Sequence, residues 1–168
     1  MHKEEQALYN VCAVLGLDEE QAAVLAHCGD FLRVKAGHSI MLEGERSDTM
    51  YMFLEGTVDV SKELTLKIAG KGFSQAEKSM TRLQAGSAPV FGEMSLFGDE
   101  PRSATVSAVN DCLLFSLTRA SYDALCAERP AIALTLTRSI AAMLSSRVRK
   151  GNEDLLKLTT ALSIALSR

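Results

Sequence analysis

The chain has 168 residues, a mass of 18.1 kDa and a net charge of −3, with 47% hydrophobic and 23% charged residues. That balance excludes a wholly disordered, collagen-like or proline-rich chain, and a chain this long buries roughly 70% of its unfolded surface without needing disulfides or a structural metal. No apolar run of about 18 residues marks a membrane span, and the polar start MHKEEQ has no apolar segment behind it, so neither a span nor a secretory signal is expected and a cytoplasmic location is.

In chain order, residues 3–16 and 18–28 read as two short helices. Leu8, Val11, Cys12 and Leu15 recur at helical spacing, and Asp18 with Gln21 three residues on forms a capping-box signature. From Phe31 to Leu117 the period changes. Short β-rich runs at 31–35, 39–42, 50–54, 57–62, 64–69, 104–108 and 112–116 are punctuated by turn residues such as Glu55-Gly56 and Asn110-Asp111. Many short strands at this spacing predict an all-β sandwich or barrel, such as a jelly roll. The polar stretch Gly70–Ser79 reads as an exposed loop between strands. A short helix follows over 119–129, capped by Thr118 or Ser121. Pro130 then suits the first turn of a last helix, whose apolar stripe runs Leu136, Ile140, Leu144, Arg147, Gly151, Leu155, Leu158, Leu162, Leu166. The stripe keeps phase through Gly151-Asn152, which predicts one long helix, with a kink at Gly151 as the alternative.

Charge is unevenly spread. Residues 1–129 hold 12 Lys and Arg against 19 Asp and Glu, a net −7, whereas residues 130–168 hold 6 against 2, a net +4. An acidic body is a poor nucleic-acid binder, and the basic tail reads as a solvated helix face. Cys12, Cys28, Cys112 and Cys126 sit in apolar stretches without metal-ligand spacing, and His2, His27 and His38 show none either, so reduced thiols and no metal are expected.

The chemistry is concentrated in Phe91-Gly92-Glu93-Met94-Ser95-Leu96-Phe97-Gly98-Asp99-Glu100-Pro101-Arg102-Ser103-Ala104-Thr105-Val106. Gly92 lets the backbone turn and approach a ligand, and 93–97 can make one helical turn. Arg102 is the residue type that grips a phosphate bidentately, and Ser103-Ala104 offers amides and a hydroxyl without crowding. Glu93 would repel a phosphate, so its part is to accept a hydrogen bond, most simply from a sugar hydroxyl. Ribose plus a compact phosphate is the ligand this proposes; a structural Glu93–Arg102 ion pair in an empty barrel is the alternative.

The run F-G-E-x-x-L-x-x-x-x-P-R-S-A-T-V, with Gly37, Ile40, Glu43-Gly44-Glu45, Ser47 to Tyr51 and Glu55-Gly56-Thr57-Val58 upstream, resembles the phosphate-binding cassette and first strands of cyclic-nucleotide-binding domains, over about residues 18–150. These domains occur in Crp–Fnr-type regulators, protein kinase A and G regulatory modules and cyclic-nucleotide-gated channels. The resemblance implies a mainly β fold: a jelly-roll β-barrel (double-stranded β-helix) with N-terminal helices in residues 1–129, and a long C-terminal dimerisation helix in 130–168. It implies cAMP or cGMP as ligand, with Glu93 on the ribose 2′-hydroxyl and Arg102 on the cyclic phosphate. Ser103 and the amides of Gly92, Met94 and Ala104 would assist, and no catalysis is implied.

Two departures stand out. Only 18 residues follow Lys150, so the helix-turn-helix domain of Crp–Fnr regulators is not expected, nor is direct DNA binding. The hydroxyl pair that many cAMP-responsive members place against adenine falls at Arg147 and Val148. Arg147 can stack on the purine, donate to guanine O6 and N7, or stand solvated on the helix flank. The expected protein is a homodimeric sensor that signals to an unknown partner through its last helix, without a membrane. A ligand-free dimeric adaptor and a redox or haem sensor are the alternatives.

Overall fold

The computed structural model describes residues 3–68 and 72–167, with side chains outside 63–80. Helices α1 (Lys3–Val14) and α2 (Glu19–Ala26) come first. The capping box forms as the sequence implies: the Gln21 amide donates to Asp18 Oδ1 at 2.8 Å and the Asp18 amide to Gln21 Oε1 at 3.2 Å.

Eight strands follow: β1 (Asp30–Val34), β2 (Ser39–Met41), β3 (Thr49–Glu55), β4 (Thr57–Ile68), β5 (Gly72–Gln84), β6 (Val90–Phe91), β7 (Thr105–Ala108) and β8 (Cys112–Thr118). They make two four-stranded antiparallel sheets, ordered β1-β8-β3-β6 and β2-β7-β4-β5. Between β6 and β7 lies the short helix α3 (Met94–Phe97); after β8 come α4 (Arg119–Glu128) and α5 (Pro130–Leu166). This is a jelly roll with flanking helices.

The alternation along β8 shows how the core divides. Phe115 and Leu117 join Met50, Met52, Leu8, Leu15, Leu25, Leu136 and Ile140 in a cluster between the first sheet and the helices. Leu114 and Cys112 join Phe53, Val58, Phe91 and Val106 in a second cluster between the sheets. A strand covered on both faces is apolar throughout, which is why 112–117 reads as a nearly continuous hydrophobic run.

Two expectations change. The runs 57–62 and 64–69 are one strand, β4, whose described part ends at Ile68. The polar stretch expected to be a loop is largely β5, paired with β4 from Ile68↔Gly72 to Thr57↔Gln84 with one register shift at Val60/Ser61. Residues 69–71, which include the first two of that stretch, lie outside the described residues. Ladder bonds are made by backbone groups that every non-proline residue carries, so a proline-free polar segment pairs without any apolar alternation.

Helix α5 is one continuous helix of 37 residues, about 55 Å long, and it passes through Gly151 without a break. A Cβ at Gly151 would meet nothing within 4 Å. The first part of α5 packs down: Ile132, Ala133, Leu136 and Ile140 are buried, and the Ser139 hydroxyl donates to the Leu15 carbonyl at 2.6 Å. From Ser145 to Ser167 every residue is exposed.

Candidate functional site

The β6–β7 connection is shaped by Gly92, whose φ is +74°, a backbone region that disfavours side chains. After this turn α3 begins, with the Leu96 amide donating to the Glu93 carbonyl at 3.0 Å and the Gly98 amide to the Met94 carbonyl at 2.9 Å. Glu93 stands at the N-cap position, yet its side chain makes no capping bond and is free to point elsewhere. Arg119, the first residue of α4, pins this connection from below. It donates to Asp99 at 2.5 Å, to the Ser95 carbonyl at 2.8 Å and to the Gly98 carbonyl.

Arg102 is 3% exposed. Its backbone is tied to the β2–β3 connection: its amide donates to the Glu45 carbonyl at 2.8 Å, and the Gly44 amide donates to its carbonyl at 2.9 Å. Its guanidinium Nη1 donates to the Gly92 carbonyl and Ser95 Oγ, both at 3.1 Å. Nη2 donates to Ser47 Oγ at 2.9 Å and the Thr49 carbonyl at 2.6 Å. Nε is buried and has no partner among the described residues. The Tyr51 ring centroid lies 5.8 Å from Cζ. Burial lowers the guanidinium's pKa from its ordinary value, against Coulombic attraction from Tyr51, Glu45, Asp48 and Glu93. The expected alternative of a Glu93–Arg102 ion pair is therefore not what forms.

Glu93 pairs instead with Arg147 of α5. Its side chain is 4% exposed, and Oε1 accepts from Arg147 Nη1 at 2.5 Å. Arg147 Nη2 donates to the Val90 carbonyl at 3.1 Å. Ser103 is exposed, with its hydroxyl 3.9 Å from Met94 Sδ.

Gly92, Glu93, Met94, Arg102, Ser103, Ala104 and Arg147 all line one cleft of about 770 Å³. That is within the range that holds a small organic ligand, roughly 300–1,000 Å³. Its inner wall is apolar, built from Met41, Val60, Leu83, Phe91 and Val106, and α5 closes one side with Met143, Ser146, Arg147, Lys150, Gly151 and Asp154. Val148, the other helix position singled out from the sequence, is 62% exposed and lies outside the cleft wall. The cradle of Arg102, made by Ser47, Thr49 and Ser95, was missed by sequence reasoning. So were Lys150 and Asp154, although their spacing from Arg147 is that of one helix face.

A family model described as cyclic nucleotide-binding domain matches residues 31–129. The chain belongs to the cyclic nucleotide-binding domain family. A cyclic nucleotide-gated potassium channel of Mesorhizobium japonicum is 36% identical over 100 residues, covering 60% of this chain and 23% of the channel. A CRP-like cAMP-activated global transcriptional regulator of Mycobacterium tuberculosis is 29% identical over 122 residues, 73% of this chain and 48% of the regulator. The chain thus spans less than half the length of these curated relatives. Among solved structures, a cyclic nucleotide-binding domain from Methylobacillus flagellatus superposes with a TM-score of 0.75 at 22% identity, covering 92% of this chain and 83% of that one. The Thermus thermophilus catabolite activator protein gives 0.70 at 26% identity, covering 87% and 63%. In cyclic nucleotide-binding domain terms, the matched span holds the whole β6–β7 connection and stops one residue before α5. No helix among the described residues is long and apolar enough to cross a membrane, and no group of three or more His, Cys, Asp or Glu among them is placed to hold a metal ion.

Proposed function

We propose that the cleft binds cAMP or cGMP and that the protein is a cytoplasmic regulatory module, not an enzyme. The observation that carries this reading is the Arg102 guanidinium. It is 3% exposed, its four hydrogen-bond acceptors are uncharged oxygens, and Nε has no partner among the described residues. A buried cation without a contacting carboxylate is satisfied by a monoanion, and a cyclic phosphodiester is one. Glu93 on the same wall accepts a hydrogen bond from the ribose 2′-hydroxyl. The Ser103 hydroxyl and the amides of Gly92, Met94 and Ala104 supply donors around the phosphate, and Arg147 borders the site from α5. These groups recognise and orient; none is assigned a role in breaking the phosphodiester. Calorimetric titration with cAMP and with cGMP tests the reading: saturable binding to either supports it, and binding to neither overturns it.

The same reading makes residues 1–129 the binding unit and 130–168 a dimerisation helix that passes occupancy to a downstream protein. Beyond Leu144 the apolar stripe of α5 divides. Arg147 turns into the cleft, while Val148, Gly151, Leu155, Leu158 and Leu162 step by 3, 4, 3 and 4 residues along a solvent-facing seam. A 3.5-residue period is that of a left-handed coiled coil. Val148, Leu155, Leu158 and Leu162 are 59–69% exposed in the single chain. A second copy about a two-fold axis is the simplest cover for such a seam.

A further inference from the structure

Arg102 and Arg119 take hold of the same two pieces of chain. One is Ser95, itself 3% exposed: its hydroxyl accepts from Arg102 Nη1 at 3.1 Å and its carbonyl from Arg119 Nη2 at 2.8 Å. The other is the segment 47–49. Ser47 Oγ and the Thr49 carbonyl accept from Arg102 Nη2, and the Asp48 carbonyl between them accepts from the Arg119 amide at 2.9 Å. Each prong of the Arg102 fork therefore rests on a segment that Arg119 also holds. The two cations differ in charge balance. Arg119 Nη1 is paired with Asp99 Oδ1 at 2.5 Å, whereas the four acceptors of Arg102 are uncharged oxygens. Helix α3, which carries Ser95, is a single turn of four residues, too short to keep its shape alone. Carbonyls at the end of a helix lack partners within it, and Arg119 supplies donors to those of Ser95 and Gly98.

Resting on the nucleotide reading, we propose that Arg119 is the positioning residue of phosphate recognition. It offers the ligand no charge of its own, since Asp99 already balances it. It clamps α3 and residues 47–49 at the spacing that sets the Arg102 fork before a phosphate arrives. A contact set in advance binds more tightly, because less freedom is lost on association. Position 119 thus serves the ligand although it forms no part of the cleft wall. The phosphate is gripped by one arginine and the grip is aimed by another.

The test uses the full chain as wild type, Arg119→Met and Arg119→Lys, with two readouts. One is calorimetric titration with cAMP and with cGMP. The other is the side-chain Nε–H nuclear magnetic resonance signal of Arg102 in the unliganded protein, assigned by its loss in Arg102→Lys. Nε is enclosed, so its proton is shielded from exchange with water. In Arg119→Met affinity falls by about ten-fold, the scale of one charge-assisted hydrogen bond, and the Arg102 signal shifts and broadens. Arg119→Lys keeps the charge and the Asp99 pair but lacks the fork that spans Asp99 and the two carbonyls. It stays about three-fold or more weaker than wild type, with the Arg102 signal displaced, and decides the matter if Arg119→Met does not fold. Wild-type affinity in Arg119→Lys, or a loss of affinity in either folded variant with the Arg102 signal unmoved, overturns the positioning role while leaving the cleft a nucleotide site. Wild type that binds neither ligand overturns the nucleotide reading itself and this proposal with it.

Discussion

A Cβ built on Gly92 falls 2.6 Å from Arg102 Nη1, so the space a side chain would need at position 92 is filled by the guanidinium. The turn and the buried cation are therefore one arrangement. The Gly92 carbonyl accepts from Nη1, and the missing side chain lets Nη1 come close enough to donate. Gly92→Ala meets both this contact and the +74° φ, and a non-glycine residue in such a conformation costs about 1–3 kcal/mol. The expected outcome is a lowered Tm together with weakened cyclic-nucleotide binding. A variant with wild-type Tm and affinity shows that the connection tolerates displacement of Arg102.

Arg102→Ala removes the proposed phosphate partner but no apolar core. The four oxygens left behind are two hydroxyls and two carbonyls, none of them charged. We expect cyclic-nucleotide affinity to fall by about ten-fold or more, with far-UV circular dichroism unchanged. Arg102→Lys keeps the charge but not the planar fork that spans Ser95 and Thr49, so it recovers little. Wild-type affinity in either variant removes Arg102 from the ligand set.

For the seam on α5, Leu155→Glu with Leu162→Glu places like charges at two positions that are about 60% exposed in the single chain. These changes touch neither the barrel core nor the cleft. Sedimentation at tens of micromolar is expected to give a dimer for wild type and a monomer for the double variant. A monomeric wild type ends the dimer proposal.

Cys12 is buried among the residues joining the helices to the first sheet, and burial pushes its thiol from 9.0 up to about 12. Its neutral form is what the fold holds. The raised pKa thus contributes stability that is present in full below pH 9.0 and lost as pH climbs towards 12. At pH 8 an alkylating reagent is expected to modify the half-buried Cys28 and Cys126 while sparing Cys12 until the protein unfolds. Early modification of Cys12, mapped by peptide mass, contradicts this.

What the sequence made legible was local. Asp18 and Gln21 announce their helix because the cap is formed within three residues, and the run 112–116 announces a strand by its short apolar stretch bounded by turn residues. The cassette from Phe91 to Val106 was legible because its chemistry is contiguous. The polar segment that became β5 gave no sign, since its pairing with β4 uses backbone groups that sequence does not distinguish. The partners of the two buried charges were hidden by distance along the chain. Ser47 and Thr49 lie 55 and 53 positions from Arg102, and Arg147 lies 54 from Glu93. Both Glu93 and Arg147 were singled out as ligand contacts, but nothing along the chain pairs them with each other until the fold brings them together. Position 147, first counted as part of an apolar stripe, bonds to the barrel where α5 begins to leave the body of the protein, Asp154 being the last of its residues on the cleft wall.

That departure makes α5 a lever. Arg147, whose guanidinium bonds to the barrel, stands nineteen residues before Leu166, about 29 Å along the helix. A tilt of about 10° about Arg147 carries the tip roughly 5 Å, close to the rise of one full helical turn. Under the proposed signalling, a change of that size in how α5 leaves the barrel would be what a partner protein reads.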